Sequence, residues 1–419
     1  MVRKVKFKLL IIFGLTFFGS SLFSQSEGCT DPQASNFNPS ATENDGSCNY
    51  PYTDFNPPFK YILSNTVSET SALVYLKNKL WTLNDSGGLP VLYAMDTATG
   101  QIIQEVTITN ANNVDWEELA IDEDYIYIGD FGNNDGTRDD LGIYKVLIDD
   151  LPYQGNGSVT ASHITYIYPD QKSFNRNYSH NFDCEAFIAT EDSLYLFSKN
   201  RADYKTKLYR LPKEPGNYIA ELITSFDVNG LITGAGYSIT ENEVVLIGYV
   251  QNIYTPFVWL LFDFQSNSYF SGNKRRIDFP NLTTIQTEGI CYISGKDLMI
   301  SAEKSPTFTA RVFRFNASAW TDHVSHTNEI KIAKRATLKV LENPVGDSIL
   351  KLSLVDCPKG NYRVDITDLL GKIVFQTSVE IDRVKEQSLS IKLPELSQGN
   401  YLVSFISNCR IISETFVIQ

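Results

Sequence analysis

Histidine is scarce in this chain of 419 residues, with four copies at His163, His180, His323 and His326. The last two form an i, i+3 pair in DHVSH, but no Cys or carboxylate set accompanies them at ligand spacing, which argues against a zinc-type centre. Basic residues are also in deficit: 36 Lys and Arg stand against 49 Asp and Glu, a formal charge of −13. Such a field repels a phosphate backbone and argues against a nucleic-acid partner. There is no GxSxG elbow, no Walker loop and no GxGxxG run. Carboxylates are so common in an acidic chain that no glycosidase-type pair stands out.

Long apolar runs are missing too. Leu9–Phe18 is shorter than the ~20 residues a membrane helix needs. Val244–Phe264 is interrupted by Gln251, Asn252, Thr255, Pro256 and Asp263, and its two halves, Val244–Tyr249 and Val258–Phe262, read as a hairpin of buried strands. No transmembrane span is expected in the mature protein. Basic Arg3, Lys4, Lys6 and Lys8 precede the first run, and small Gly19, Ser20 and Ser21 follow it. This order predicts an export signal over residues 1–24 with cleavage after Ser24, a retained anchor being the alternative. No Cys follows the run directly, and export makes disulfides permissible for the six cysteines.

Aromatic residues are plentiful, with 23 Tyr and 25 Phe. That excludes a disordered chain and favours strands, because aromatic side chains suit a pleated, half-buried surface. An all-β protein of several segments follows.

Residues 25–50 contain GCTDPQASNFNPSATENDGSCNY, rich in Asn, Asp, Ser and Pro, with no periodicity. A small loop stapled by Cys29 and Cys48 is expected, with Asp31, Asn36, Asn38, Asn44 and Asp45 as oxygen donors. The pattern resembles the calcium-binding-type repeat, related to thrombospondin type 3 units, found in surface proteins of bacteria with a type IX secretion system. A spacer role and a calcium site are both open readings of it.

Residues 336–419 alternate apolar and polar residues between Gly, Asn and Pro turns, which predicts a β-sandwich of about seven short strands. NPV, DLLGKIV, LSQGNYLV and the final FVI strand resemble the type A C-terminal sorting domain of the type IX system. That resemblance implies the type IX machinery as partner, export across the outer membrane, and cleavage or lipid attachment at the surface. Cys357 and Cys409 lie near strand ends here and could pair.

Residues 51–330 hold a weak repeat. ETSALVYLKNKLWTLNDSGG begins at Glu69, EELAIDEDYIYIGDFGNND at Glu117 and CEAFIATEDSLYLFSKNR at Cys184; GAGYSITENEVVLIGYV follows at Gly234 and TEGICYISGKDLMISAEK at Thr287. A period near ~50 residues with four strands each describes propeller blades. A five-bladed β-propeller is expected, with Phe59–Leu63 completing the last blade. A sixth blade within residues 151–182 is the alternative.

The alignment places Glu69, Glu117, Glu185 and Glu288 on first strands, with Ala235 in the fourth segment. First strands line the channel of a propeller, so these carboxylates would converge and repel unless a cation or protons neutralise them. Calcium is the expected cofactor, and pairing with backbone amides or Arg is the alternative. Asn84, Asp85, Asp130, Lys199, Arg201, Tyr249, Glu303 and Lys304 follow the second strands and would line one mouth, fit for a polar ligand or surface partner. Solvated turn residues are the competing reading of NDSGG and DFGNND. Cys184 and Cys291 are expected as buried thiols.

ETSALVYLKNKLWTLNDSGG and VDWEELAIDEDYIYIGDFGNNDGTRDDLGIYKV resemble a family of exported bacterial propeller proteins. The likeness extends distantly to phytase-like and SdiA-regulated propellers, over most of residues 60–320. The same skeleton is similar to calcium-dependent apyrases, five-bladed propellers with a central calcium. That resemblance implies Glu117, Glu185 and Glu288 as calcium ligands, with Ala235 departing from a full set. The leading expectation is a secreted or cell-surface propeller that binds a polar ligand. The alternative is a calcium-dependent hydrolase of phosphate esters or nucleotides using Asp85, Asp130, Lys199 and Arg201.

Overall fold

The structure, a computed structural model, describes residues 26–322 and 337–418, apart from 347, 356, 358–359, 369–371, 382–385 and 407–410. The expected signal segment, His323, His326 and Cys409 lie outside the described residues, and with them the pairing of Cys357 and Cys409.

Five antiparallel sheets follow one another along the chain. The first is built from Val74–Leu76, Lys79–Thr82, Val91–Asp96 and Ile102–Ile108, and the second from Trp116–Ile121, Tyr125–Asp130, Gly142–Leu147 and Ser162–Ile167. The third contains Asp183–Ala189, Ser193–Lys199, Thr206–Pro212 and Glu221–Phe226. Leu231–Ser238, Glu243–Val250, Thr255–Phe262 and Asn273–Asp278 make the fourth, in which the expected hairpin over Val244–Phe264 is present. The fifth has Thr287–Ser294, Asp297–Ala302 and Arg311–Asn316, and is completed by Phe59–Ile62 from ahead of the first sheet.

The first strands touch in cyclic order, first to second through to fifth and back to first. Apolar cores fill the same five gaps. Trp81, Leu92, Trp116 and Ile128 join sheets one and two, and Tyr127, Phe131, Phe187 and Tyr209 join two and three. Phe197, Leu246, Phe257 and Tyr269 lie between three and four, and Ile247, Phe279, Ile300 and Phe315 between four and five. Tyr61, Leu80, Met95 and Val312 close the circuit between five and one. Each fully buried side chain of this kind contributes about 1.5–3 kcal/mol, so these faces dictate the arrangement more than strand propensity does. Accordingly Ser193–Lys199 is buried on both faces, while the outermost Glu221–Phe226 is mostly exposed.

Residues 151–182 add no further sheet. Gly157–Val159 runs parallel to Ile102–Ile108 on the edge of the first sheet, and Ser162–Ile167 is the fourth strand of the second. Gly216–Ile219 adds a parallel edge strand beside Ser162–Ile167. Such cover protects exposed strand edges.

In the N-terminal loop, Glu27–Gly28 pairs with Glu43–Asn44 and Cys29 is disulfide-bonded to Cys48. Its oxygen donors serve turns and seating. Asp31 accepts from the Gln33 N–H at 2.8 Å and the Tyr50 hydroxyl at 2.6 Å, and Asp45 accepts from the Ser47 N–H at 2.9 Å. Asn44 Nδ2 donates to Asp263 at 2.8 Å and to Asn273 at 2.9 Å, fixing the loop to the fourth sheet. Gly46, at φ +73°, is needed there because a Cβ would lie 2.1 Å from the Ser271 carbonyl.

Residues 337–418 form a three-stranded sheet and a four-stranded sheet that share one core, including Leu350, Leu352, Val364, Val403 and Phe405. The number of strands described, seven, matches the expectation. Among the described residues no helix is long and apolar enough to cross a membrane.

Candidate functional site

A β-bulge recurs near the start of the first strand in sheets two to five. The register skips Glu117, Glu185 and Thr233 in the second, third and fourth sheets, and breaks between Thr287 and Ile290 in the fifth, at Glu288. A bulge re-aims a side chain out of the alternating pattern. Thr233, and not Ala235, therefore occupies the glutamate position of the fourth sheet. Glu69, likewise, precedes the first strand and is exposed rather than standing in it. The corresponding position in the first sheet belongs to Ser71. Ser71 Oγ donates to the Trp116 carbonyl at 3.2 Å, and Thr233 Oγ1 donates to the Thr287 carbonyl at 2.6 Å. Each hydroxyl thus ties its sheet to the residue just before the next sheet's glutamate.

At this end of the five sheets charged side chains gather. Glu117, Glu185 and Glu288 are all buried, at 4%, 4% and 7% exposure. Glu185 is ion-paired with Lys199 and lies 3.7 Å from Arg201, which also holds Asp183 at 2.9 Å. Lys199 Nζ stands 5.4 Å from the centroid of the Tyr249 ring. Asp85 lies among the charges felt by Asp115, Glu117, Glu288 and Glu303. Asp85, Asp115 and Glu117 each place one carboxylate oxygen within 4.8 Å of the other two.

The electrostatics follow from this crowding. Burial, reinforced by Asp85, pushes Asp115 up to about 7. Burial first, then neighbouring Asp85, brings Glu303 to about 7 as well. Glu117 and Glu288 are driven well above the glutamate range by burial and then by the Glu185 charge. Glu185 rises to about 7 through burial, against the pull of Lys199. Burial disfavours the Lys199 charge, but Glu185, Tyr249 and Glu288 more than offset it, so Lys199 remains a cation. This cluster is an acid-rich site that holds protons or takes up positive charge.

Of the expected mouth residues, Asp85, Lys199, Arg201, Tyr249 and Glu303 come together. Asn84 does not join them: its side chain accepts from the Glu69 N–H at 3.3 Å and donates to the Thr66 carbonyl at 2.8 Å, bracing the loop. Asp130 pairs with Arg138 at 3.0 Å and accepts from the Asp115 N–H at 3.1 Å, so it positions Asp115. Lys304 follows Glu303 on the exposed side. Sequence reasoning missed Asp115 and Asp183. The signal was a repeated acid-x-Glu, Asp115-Trp116-Glu117 and Asp183-Cys184-Glu185. Glu118, fully buried, was missed as well. Cys184 and Cys291 are buried thiols, as expected.

Residues 340–419 match the secretion system C-terminal sorting domain. The chain is therefore a secreted or cell-surface protein exported through the type IX machinery. No curated protein matches it. Among solved structures it is similar to PorZ, a surface component of the type IX secretion system of Porphyromonas gingivalis, at 12% identity and a TM-score of 0.27. That match covers 84% of this chain, which spans only 45% of the length of PorZ. Hydrazine synthase of Kuenenia stuttgartiensis matches at 12% identity, over 64% of this chain and 65% of that one, with a TM-score of 0.31. An exo-β-1,3-galactanase of Phanerochaete chrysosporium matches at 10% identity, over 84% and 92%, with a TM-score of 0.40. Likenesses this shallow carry no functional argument.

Proposed function

We propose that the five sheets are the blades of a five-bladed β-propeller, displayed at the cell surface, whose acid-rich mouth binds calcium and a polar ligand. Support for the ring comes from the cyclic contacts of the first strands, the five inter-sheet cores and the closing strand Phe59–Ile62. The observation that carries the binding reading is the convergence on one mouth of Asp85, Glu117, Glu185, Lys199, Tyr249, Glu288 and Glu303, drawn from all five sheets. Groups this deeply buried and this strongly coupled are typical of functional sites. Lys199 and Arg201 beside the carboxylates favour a ligand with anionic groups.

Thermal melting of the full mature chain, with calcium and then with chelator, tests the proposal. A cation bound at ~100 times its dissociation constant stabilises the fold by about 2.7 kcal/mol, so calcium should raise the melting temperature by several degrees. Identical melting in calcium and chelator would remove the cation from this reading. Calcium-dependent hydrolysis of phosphate esters or nucleotides is the second reading, on the same two cations. Incubating the protein with p-nitrophenyl phosphate and nucleoside diphosphates tests it, and absence of phosphate release in calcium rejects it.

A further inference from the structure

We propose, resting on the reading that the mouth binds calcium, that the ion sits off the axis on Asp85, Asp115 and Glu117 and not on the ring of Glu117, Glu185 and Glu288. Three oxygens within 4.8 Å of one another make a cluster, which alone would mean little in so acidic a chain. Glu117 supplies the independent sign. It is only 4% exposed, yet its Oε1 is buried with no hydrogen-bond partner. An uncompensated carboxylate oxygen in that position costs several kcal/mol, and a bound cation removes the cost.

Gly132 shows where that oxygen points. A Cβ at this residue would lie 2.2 Å from Glu117 Oε1 and 2.4 Å from Asp115 Oδ2. The two oxygens thus flank one space, left open because residue 132 has no side chain. The surrounding bonds hold the seat. Asn113 Nδ2 clamps the carbonyls of Asn84 and Asp85, each at 2.9 Å, and Asp130 holds the Asp115 N–H. The axial alternative is compromised at Glu185, which is taken by Lys199 and has Arg201 3.7 Å away. A divalent ion beside Glu185 would sit directly against Lys199 and Arg201, whereas around Asp85 and Asp115 the carboxylates outnumber the cations Lys199 and Arg138 that reach them. An oxygen-only set of three carboxylates suits calcium, which takes six to eight oxygens in loose geometry, with water or ligand oxygens filling the remainder.

Calorimetric titration of chelator-treated full-length protein with calcium chloride tests the seat, with near-ultraviolet circular dichroism confirming that each variant is folded. Asp115→Asn and Gly132→Ala each remove one side of it and should weaken binding by more than ~100-fold. Asp130→Asn, which only loosens Asp115, should cost about 10–100-fold. Calcium held by the 25–50 loop would appear as a separate equivalent untouched by all three. If Asp115→Asn and Gly132→Ala bind as the wild type does while Glu185→Gln or Glu288→Gln loses the ion, the calcium reading stands and this seat is wrong. If the wild type shows no equivalent sensitive to any of these changes, both fall.

Discussion

Glu118 Oε2 accepts a hydrogen bond from the Ala235 N–H at 2.9 Å, joining residues 117 positions apart in the chain. Its Oε1 accepts from the Leu119 N–H at 2.9 Å, and the carboxylate also faces the Leu73 N–H. One buried side chain of the second sheet therefore ties together the first strands of the first and fourth. Glu118→Ala leaves these donors unpaired and should cost about 1–3 kcal/mol in urea denaturation.

The same residue gives stability a pH dependence. Burial pushes Glu118 well above 4.5, so the folded state keeps a proton that the unfolded state releases. Asp115, Glu185 and Glu303, pushed up to about 7, act in the same direction. The folded chain binds more protons between about pH 4 and 7, and in chelator its stability should fall as pH rises through that window. Melting temperatures measured from pH 4.5 to 8 check this, and Glu118→Gln should flatten the decline. A rise in stability over this range would refute the assignment.

Tyr61 lies in the closing strand, 8% exposed, with its hydroxyl buried and without a hydrogen-bond partner. Tyr61→Phe should therefore cost nothing and gain up to about 1 kcal/mol. Tyr61→Ala should cost about 3–5 kcal/mol, because the ring packs between the fifth and first sheets. Paired unfolding curves decide the matter, and a destabilised Tyr61→Phe would mean that the hydroxyl has a partner after all.

Lys199 and Glu185 form a buried ion pair, each about 5% exposed in the side chain. Lys199→Met leaves buried Glu185 with Arg201 alone, at 3.7 Å, and should cost up to about 3 kcal/mol, while the double variant Lys199→Met, Glu185→Leu should recover most of it. A double-mutant cycle gives the coupling directly. Additive effects would show that the pair does not interact.

Much of this was legible in the sequence because strand alternation is local. The repeat starting at Glu117 and Cys184, the hairpin over Val244–Phe264, the Cys29–Cys48 staple and the seven terminal strands all followed from short-range patterns and turn residues. What failed was register. A bulge inserts one residue without changing composition, so the repeat pattern alone points to Glu69 and Ala235 at places that Ser71 and Thr233 hold. The edge strands Gly157–Val159 and Gly216–Ile219 were invisible because each pairs with a strand distant in sequence. Asp130 looked like a ligand because nothing local announced that Arg138 would hold it.

The sorting domain gives a cellular prediction. Removing residues 340–419 should leave the protein inside the cell envelope, inaccessible to protease added to whole cells. Surface exposure equal to that of the full chain would contradict a sorting role.

Crystals of the full mature chain grown with calcium, measured at a long wavelength, test the account most directly. The anomalous map should show a single strong peak at the mouth, bounded by Asp85, Asp115, Glu117 and Gly132. A peak on the axis between Glu185 and Glu288, or none at this mouth, would contradict it.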